Sequence, residues 1–114
     1  MPQVDHIFPQ SLLSKEKVKS PETGRMVMKY RAPERDQLAN CMLLSRVENG
    51  AGGKANTPPD IWFANKKPEY LEKHLIPRDR SLWHLSRFED FIAARKQLLL
   101  DRFRSLGVLP RSTT

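Results

Sequence analysis

Cysteine is almost missing from this chain of 114 residues, since Cys41 is the only one. An intramolecular disulfide is therefore impossible, and a structural zinc site built from several cysteines is excluded. Long apolar runs are missing too, because a run such as residues 98–100 is far shorter than the ~20 residues that cross a bilayer. Residues 1–6 lack the basic and apolar regions of a signal peptide. We predict a cytoplasmic protein without a membrane partner.

Acidic residues are outnumbered by basic ones, with 13 Asp and Glu against 20 Lys and Arg. The formal net charge is +7, and the isoelectric point is near 9.9. Such a surface favours a polyanionic partner, because each Lys or Arg placed against a phosphate releases a counterion. The same excess of positive charge also keeps a surface soluble. Charge alone leaves both interpretations open.

The chain length suits one domain, and 39% of the residues are hydrophobic, which is enough for a modest core. Residues 4–8 and 38–44 are predicted to be short strands that form an antiparallel pair. Residues 26–30 favour either a further short strand or a segment that covers the core. The Lys-rich segment 14–25, which contains Pro and Gly, is predicted to be an exposed loop.

Helices are predicted in the second half of the chain. Thr57 is the expected N-cap of a short helix with Pro58 in its first position, and a second short helix is expected over residues 68–75. The two tryptophans, Trp62 and Trp83, are interpreted as packing residues rather than as platforms for stacked bases.

The last helix has the clearest pattern. Ser86 and Glu89 form a capping-box signature, and Gly107 is expected to end the helix. Between them, apolar residues recur at helical spacing and form a stripe that must be covered. The strand pair and the short helices can cover it, so the sequence predicts an α+β fold with a short antiparallel strand pair and additional C-terminal helices.

Four polar residues are candidates for chemistry: Asp5 and His6 at the end of the first strand, Asn40 at the second, and Asn49 nine positions later. Taken singly, each has an ordinary structural interpretation, as a hydrogen-bonded histidine or as a turn residue. Taken together, they suit phosphodiester hydrolysis. A histidine can remove a proton from water near neutral pH, and a hard divalent cation prefers carboxylate and amide oxygens such as those of Asp5 and Asn49.

Four short segments form one pattern: residues 4–11 (VDHIFPQS), 38–45 (LANCMLLS), 48–49 (EN) and 53–58 (GKANTP). This pattern resembles the HNH, or His-Me finger, nucleases in their Asp-His variant, which is also seen in RNA-guided CRISPR nucleases. Residues 70–77 and 91–95 are similar to the C-terminal HNH domain of bacterial defence proteins that begin with a ParB-like NTPase domain. Those proteins include modification-dependent restriction enzymes.

The resemblance implies a ββα-metal core over residues 1–57 and a helical extension over 58–114. The chain would be one domain and a C-terminal fragment of a longer protein, with an N-terminal regulatory or NTPase domain as partner. The resemblance further implies an endonuclease that nicks DNA with Mg²⁺ or Mn²⁺ and that acts as the effector of an anti-phage or restriction system. The alternative is a catalytically weak module that binds nucleic acid or docks a domain.

The resemblance also assigns roles to five residues. His6 would be the general base, and Asp5 and Asn49 would be the metal ligands. Asn40 would tie the two strands together near the histidine, and Lys54 would steady the scissile phosphate. Two features depart from the pattern: the segment 12–37 is longer than in compact HNH modules, and the glycines after Asn49 are poor helix formers.

Other polar residues are given lesser roles. His74 and His84 lie in aromatic-rich, helical surroundings and are interpreted as structural. Lys15, Lys17 and Lys19 are candidates for contact with the DNA backbone, with a solvated loop as the alternative interpretation.

Overall fold

Two antiparallel strand pairs and a long C-terminal helix organise the chain. The computed structural model describes residues 3–45, 48, 54 and 56–107. Within these residues, the strands and α-helices are, in chain order, β1 (Gln3–His6), α1 (Gln10–Leu13), β2 (Lys17–Lys19), β3 (Met26–Met28), α2 (Ala32–Arg35), β4 (Cys41–Leu44), α3 (Pro59–Trp62), α4 (Pro68–Lys73) and α5 (Phe88–Ser105). Short 3₁₀ turns cover Leu38–Asn40, Arg80–Trp83 and Leu85–Arg87.

The predicted antiparallel pair is confirmed as β1 and β4, with Asp5 opposite Met42 and His6 opposite Cys41. Both strands are shorter than predicted. β1 ends at His6, because the next two residues, Ile7 and Phe8, turn into the core and are fully buried. β4 begins only at Cys41, since the residues before it form a 3₁₀ turn.

The second strand pair corrects the prediction of an exposed loop over residues 14–25. Within that segment, Lys17–Lys19 is strand β2, which pairs with Met26–Met28. A turn at Gly24, whose φ of +71° suits glycine, joins the two strands. Of the two alternatives for residues 26–30, the structure has the short strand, over Met26–Met28. The β2 strand was missed because three residues with two lysines give almost no apolar alternation.

Helix α5 supplies the centre of the core. The Phe8 ring lies edge-to-face against both Phe88 and Phe91, with ring centroids 5.1 Å apart in each pair, and Tyr30 packs on Phe88 at 4.8 Å. The chain that leaves β1 is therefore fixed directly to α5. The buried apolar core consists of Ile7, Phe8, Leu13, Tyr30, Ala39, Met42, Leu44, Phe63, Leu71, Ile76, Trp83, Phe88, Phe91 and Ile92.

A buried cation ties α5 to the strand pair. The Arg95 guanidinium donates from Nη1 to the carbonyls of Leu38 and Cys41, at 3.1 and 2.6 Å, and from Nη2 to the carbonyl of His74 at 3.1 Å. Burial lowers the pKa of Arg95 to about 10. Because its acceptors lie at the start of β4 and at the end of α4, Arg95 joins these two segments to α5.

The predicted helix ends are partly wrong. Thr57 is not an N-cap, because α3 begins at Pro59 after Pro58 and has no side-chain cap. Ser86 is not an N-cap either, since it lies in a 3₁₀ turn and α5 begins at Phe88. The packing of Phe88 against Phe8 sets that start and overrides the local capping signal. Gly107, with φ of +75°, follows the end of α5 as predicted.

The predicted α+β class is confirmed: the chain combines short antiparallel strand pairs with C-terminal helices and is compatible with a small ββα fold. The second predicted short helix is α4, which starts at Pro68 as expected but ends at Lys73 rather than near residue 75. None of the helices in the described ranges has the length and apolar character needed to cross a membrane.

Candidate functional site

The end of strand β1 holds the two central candidate residues. Asp5 is buried, whereas its neighbour His6 keeps 28% of its side chain exposed. The difference follows from strand geometry, because successive side chains point to opposite faces. A carboxylate inside the fold and an imidazole at the surface thus stand on adjacent residues.

Lys54 lies beneath this strand end and is fully buried. Its ammonium group donates to three backbone carbonyls, those of His6, Ile7 and Thr57, at 2.9, 3.0 and 3.1 Å. Burial lowers the pKa of Lys54, and the neighbouring Asp5 carboxylate partly offsets that effect. The residue was predicted to contact a phosphate, but here its ammonium group has no exposed surface to offer one.

The Asp5 carboxylate has one buried oxygen that receives no hydrogen bond. Lys54 Nζ lies 3.1 Å from Asp5 Oδ2, which is an ion-pair distance. An ammonium group has only three hydrogens, and the three carbonyls use them. Oδ2 is accordingly a buried acceptor without a donor. Its partner within the described residues is the positive charge of Lys54 rather than a hydrogen-bond donor.

Asn40 ends the 3₁₀ turn that precedes β4, and its side chain is fully buried. Its Oδ1 accepts from the Phe8 N–H at 2.9 Å, and its Nδ2 donates to the carbonyls of Phe8 and Arg35 at 3.1 and 2.8 Å. The Asn40 carbonyl also accepts from the Ile7 N–H at 2.8 Å. These four bonds fix the turn that follows His6.

Two residues that the sequence analysis missed hold the His6 ring. The ring Nε2 lies 2.8 Å from Asp36 Oδ1, and Gln10 Nε2 donates to the same oxygen at 2.8 Å. The Gln10 hydrogen bond, followed by that of His6, lowers the pKa of Asp36. Gln10 belongs to the motif at residues 4–11, which was a usable signal. Asp36 lies in the long segment 12–37. Because it is 30 residues away from His6 in the sequence, no local pattern indicated the contact between them.

Asn49, predicted as the second metal ligand, lies outside the described residues, as do Gly50, Gly52 and Gly53 after it. The residue before it is well anchored. Glu48 and Ser45 form reciprocal hydrogen bonds, from Ser45 N–H to Glu48 Oε1 and from Glu48 N–H to Ser45 Oγ.

A second contact anchors Glu48 from α4. The Tyr70 hydroxyl donates to Glu48 Oε2 at 3.2 Å. The Ser45 bonds, led by the one from its backbone, lower the pKa of Glu48. The Ser-x-x-Glu spacing of residues 45 and 48 is a capping-box signature that the sequence analysis overlooked.

Asp5 is the expected metal ligand that lies within the described residues. Over the ranges 3–45, 48, 54 and 56–107, no group of three His, Cys, Asp or Glu side chains could hold an ion by itself. Asp5 fits the requirement for a single ligand, because its buried Oδ2 is an oxygen acceptor without a hydrogen-bond donor. The donor chemistry therefore suits a hard cation at this carboxylate, with further ligands from elsewhere.

The remaining aromatic and histidine candidates make packing or surface contacts. The His74 ring packs on Tyr70 at 4.5 Å, and burial lowers its pKa. His84 lies 3.6 Å from Asp60 on the surface. The face of Trp62 is covered by the Lys66 ammonium at 3.8 Å, and Trp83 is buried with its Nε1 donating to the carbonyl of Pro77.

Comparison with known proteins gives one match. The family model for the C-terminal domain of GmrSD restriction endonucleases matches residues 1–102, which is most of the chain. No curated protein and no solved structure matches it. The matched region contains every candidate residue at the end of β1 together with most of α5. The chain belongs to the family formed by the C-terminal domain of GmrSD restriction endonucleases.

Proposed function

We propose that this chain is an HNH-type endonuclease module of the Asp-His variant, which nicks DNA with the help of a divalent metal ion. The family membership supports a restriction endonuclease as the general class. The observation that carries the specific proposal is the end of β1, where a partly exposed imidazole stands beside a buried carboxylate with an oxygen that receives no hydrogen bond. Asn40 holds that strand end in place with its hydrogen bonds to Phe8.

His6 is proposed as the general base. Its ring is accessible to solvent, and histidine titrates near neutral pH in general. In the reaction, the ring takes a proton from water while the water oxygen bonds to phosphorus. The bond from phosphorus to the leaving sugar oxygen breaks, and that oxygen takes a proton from solvent. A positioned general base contributes roughly 10²–10⁴-fold to such a rate.

Asp5 and Asn49 are proposed to hold Mg²⁺ or Mn²⁺, which prefer oxygen ligands. A bound divalent cation supplies positive charge that stabilises the leaving oxygen. The protein would contribute the buried Oδ2 of Asp5, which receives no hydrogen bond. The bonds of Glu48 to Ser45 and Tyr70 restrain the residue that precedes Asn49.

Lys54 is proposed to support the catalytic set from beneath rather than to contact the phosphate. Full burial and three carbonyl acceptors favour this role. The ammonium group holds the carbonyls of His6 and Ile7, so it restrains the backbone that carries the base.

The β2–β3 hairpin is proposed to contact the DNA backbone. Lys17 and Lys19 are exposed, and they lie opposite the exposed Met28 and Met26 on one face of the hairpin. Within the described ranges, neither lysine takes part in an ion pair. Lysine side chains without ion-pair partners on a two-stranded ribbon are suited to contact the phosphates that flank a groove of DNA.

The division of the chain into a nuclease core over residues 1–57 and a helical extension over 58–114 is likewise a proposal. We further propose that an N-terminal regulatory domain of the same polypeptide acts with it in anti-phage restriction. The description of the family as a C-terminal domain supports that arrangement.

The test is a nicking assay on supercoiled plasmid with Mg²⁺ or Mn²⁺. The wild-type chain and the control variant His84→Ala, which loses a surface histidine paired with Asp60, should both produce nicked circles. The His6→Ala variant should produce at least about 10²-fold less. Equal product from wild type and His6→Ala would refute the proposal. Salt-sensitive binding without any cleavage would favour a nucleic-acid-binding module instead.

A further inference from the structure

The acceptor that holds the His6 ring determines which ring nitrogen carries the hydrogen. His6 Nε2 lies 2.8 Å from Asp36 Oδ1. An ionised carboxylate has only lone pairs to offer, so this hydrogen bond requires a hydrogen on Nε2. The Gln10 amide donates to the same Oδ1 at 2.8 Å, which further favours the ionised carboxylate. In the neutral ring, the free lone pair then belongs to Nδ1.

We propose that Asp36 is a positioning residue that holds neutral His6 as the Nε2–H tautomer and thereby makes Nδ1 the atom that accepts the proton from water. This inference rests on the proposed nuclease function, in which His6 is the base. Asp36 itself does not touch the reacting atoms in this scheme. Its contribution is to fix the ring orientation and the location of one hydrogen.

The backbone around Asp36 is tied to the segment that carries His6. The Asp36 N–H donates to the carbonyl of Ala32 at 2.8 Å, which closes the end of α2. The preceding carbonyl, that of Arg35, accepts from Asn40 Nδ2 at 2.8 Å. Because Asn40 also binds the Phe8 backbone, the carboxylate and the histidine stand on segments joined by one buried side chain.

Gln10 has a separate role in this arrangement. It is the first residue of α1, so its side chain starts close in sequence to His6. Its amide holds the same Asp36 oxygen that accepts from His6, which restrains the carboxylate from the β1 side. The three side chains form a chain of hydrogen bonds in the order Gln10, Asp36 and His6. A carboxylate that swings freely could not select one tautomer.

The expected effect is moderate because half of the Asp36 side chain is exposed. Water can replace the carboxylate as hydrogen-bond partner of His6 Nε2, so loss of Asp36 leaves a mixture of tautomers and ring orientations rather than an inactive ring. We expect the turnover number, kcat, to fall about tenfold, which is less than the roughly 10²–10⁴-fold that a positioned base contributes as a whole. KM for DNA should stay unchanged, since Asp36 is not assigned any contact with the substrate.

The first measurement is NMR of the ring nitrogens in ¹⁵N-histidine-labelled full chain at about pH 9, above the ordinary pKa of a histidine ring. Only three histidines are present, and loss of one signal set in His6→Ala assigns the His6 ring. The wild-type chain and the control Asp90→Ala, which removes an exposed carboxylate paired with Arg87, should show Nε2 protonated and Nδ1 bare. Asp36→Ala should move both nitrogen shifts toward values typical of mixed tautomers.

The second measurement is plasmid nicking by the same three proteins. We expect kcat to fall in Asp36→Ala while KM stays unchanged. In Asp90→Ala, both kcat and KM should equal the wild-type values. It is overturned if His6 is the Nδ1–H tautomer in the wild type, or if Asp36→Ala leaves the ring signals or kcat unaltered while cleavage still depends on His6. Absence of His6-dependent cleavage in the wild type overturns the proposed function itself, whatever the ring signals show.

Discussion

Lys54 and Asp5 form an ion pair inside the fold, with Nζ 3.1 Å from Oδ2 and both side chains buried. The lysine reaches strand β1 from a position 47–48 residues further along the chain, where its ammonium group also binds two β1-end carbonyls. Removing two charges from water is costly, and the pair is tolerated because each charge faces the other and the ammonium hydrogens are all used. The contact therefore links the position of Lys54 to the end of β1.

Replacing Lys54 with methionine should destabilise the protein strongly. Lys54→Met leaves the Asp5 charge buried without a partner and removes the donor of three carbonyls. Breaking a buried ion pair on one side costs about 3–5 kcal/mol. Urea unfolding followed by circular dichroism would measure the loss. The exposed Lys73→Met variant should stay within about 0.5 kcal/mol of wild type. Similar unfolding midpoints for both variants would contradict the buried pair.

Removing the Asn40 side chain should also lower the free energy of unfolding. Asn40→Ala leaves the Phe8 N–H and two carbonyls without their buried partner. Each unsatisfied buried group costs about 1–3 kcal/mol, so we expect the three groups together to cost about 3 kcal/mol or more. Chemical denaturation is again the measurement.

A second substitution at this site separates hydrogen bonding from packing. Asn40→Asp keeps an oxygen for the Phe8 N–H but turns a lone pair toward the carbonyls of Phe8 and Arg35. The variant should be least stable near neutral pH and should recover as acid protonates the introduced carboxylate. A loss independent of pH would indicate that packing alone matters there.

Local patterns predicted the β1–β4 pair and the place of Asp5 and His6, because strand pairing sets both positions. They did not predict the role of Lys54, since lysine is rarely buried and its acceptors come together only in the folded chain. Asp36 was missed for the same reason, because its contact with His6 spans 30 residues. The start of α5 was misplaced because tertiary packing of Phe88 outweighed a capping signal.

Stability should fall in mild acid because of His74. Burial lowers the pKa of this ring below its usual value, so the unfolded chain binds more protons in that interval. Its contribution is therefore present above about pH 6.5 and is lost as pH falls toward the lowered pKa. Thermal unfolding at about pH 7 and pH 5 should show a smaller drop in Tm for His74→Gln than for wild type. An equal drop in both proteins would exclude His74 as the cause.

The β2–β3 hairpin should account for a defined part of the salt dependence of DNA binding. Each cation that neutralises a phosphate contributes about 0.9 to the slope of log K against log salt. The double variant Lys17→Gln/Lys19→Gln, made in a His6→Ala background to prevent cleavage, should reduce that slope by roughly 1.8, since both lysines are exposed. The charge-matched variant Lys67→Gln/Lys73→Gln, at helix α4, should keep it. Equal slopes for the two double variants would remove the hairpin from the DNA-binding surface, because neutralised charge alone would then explain the change.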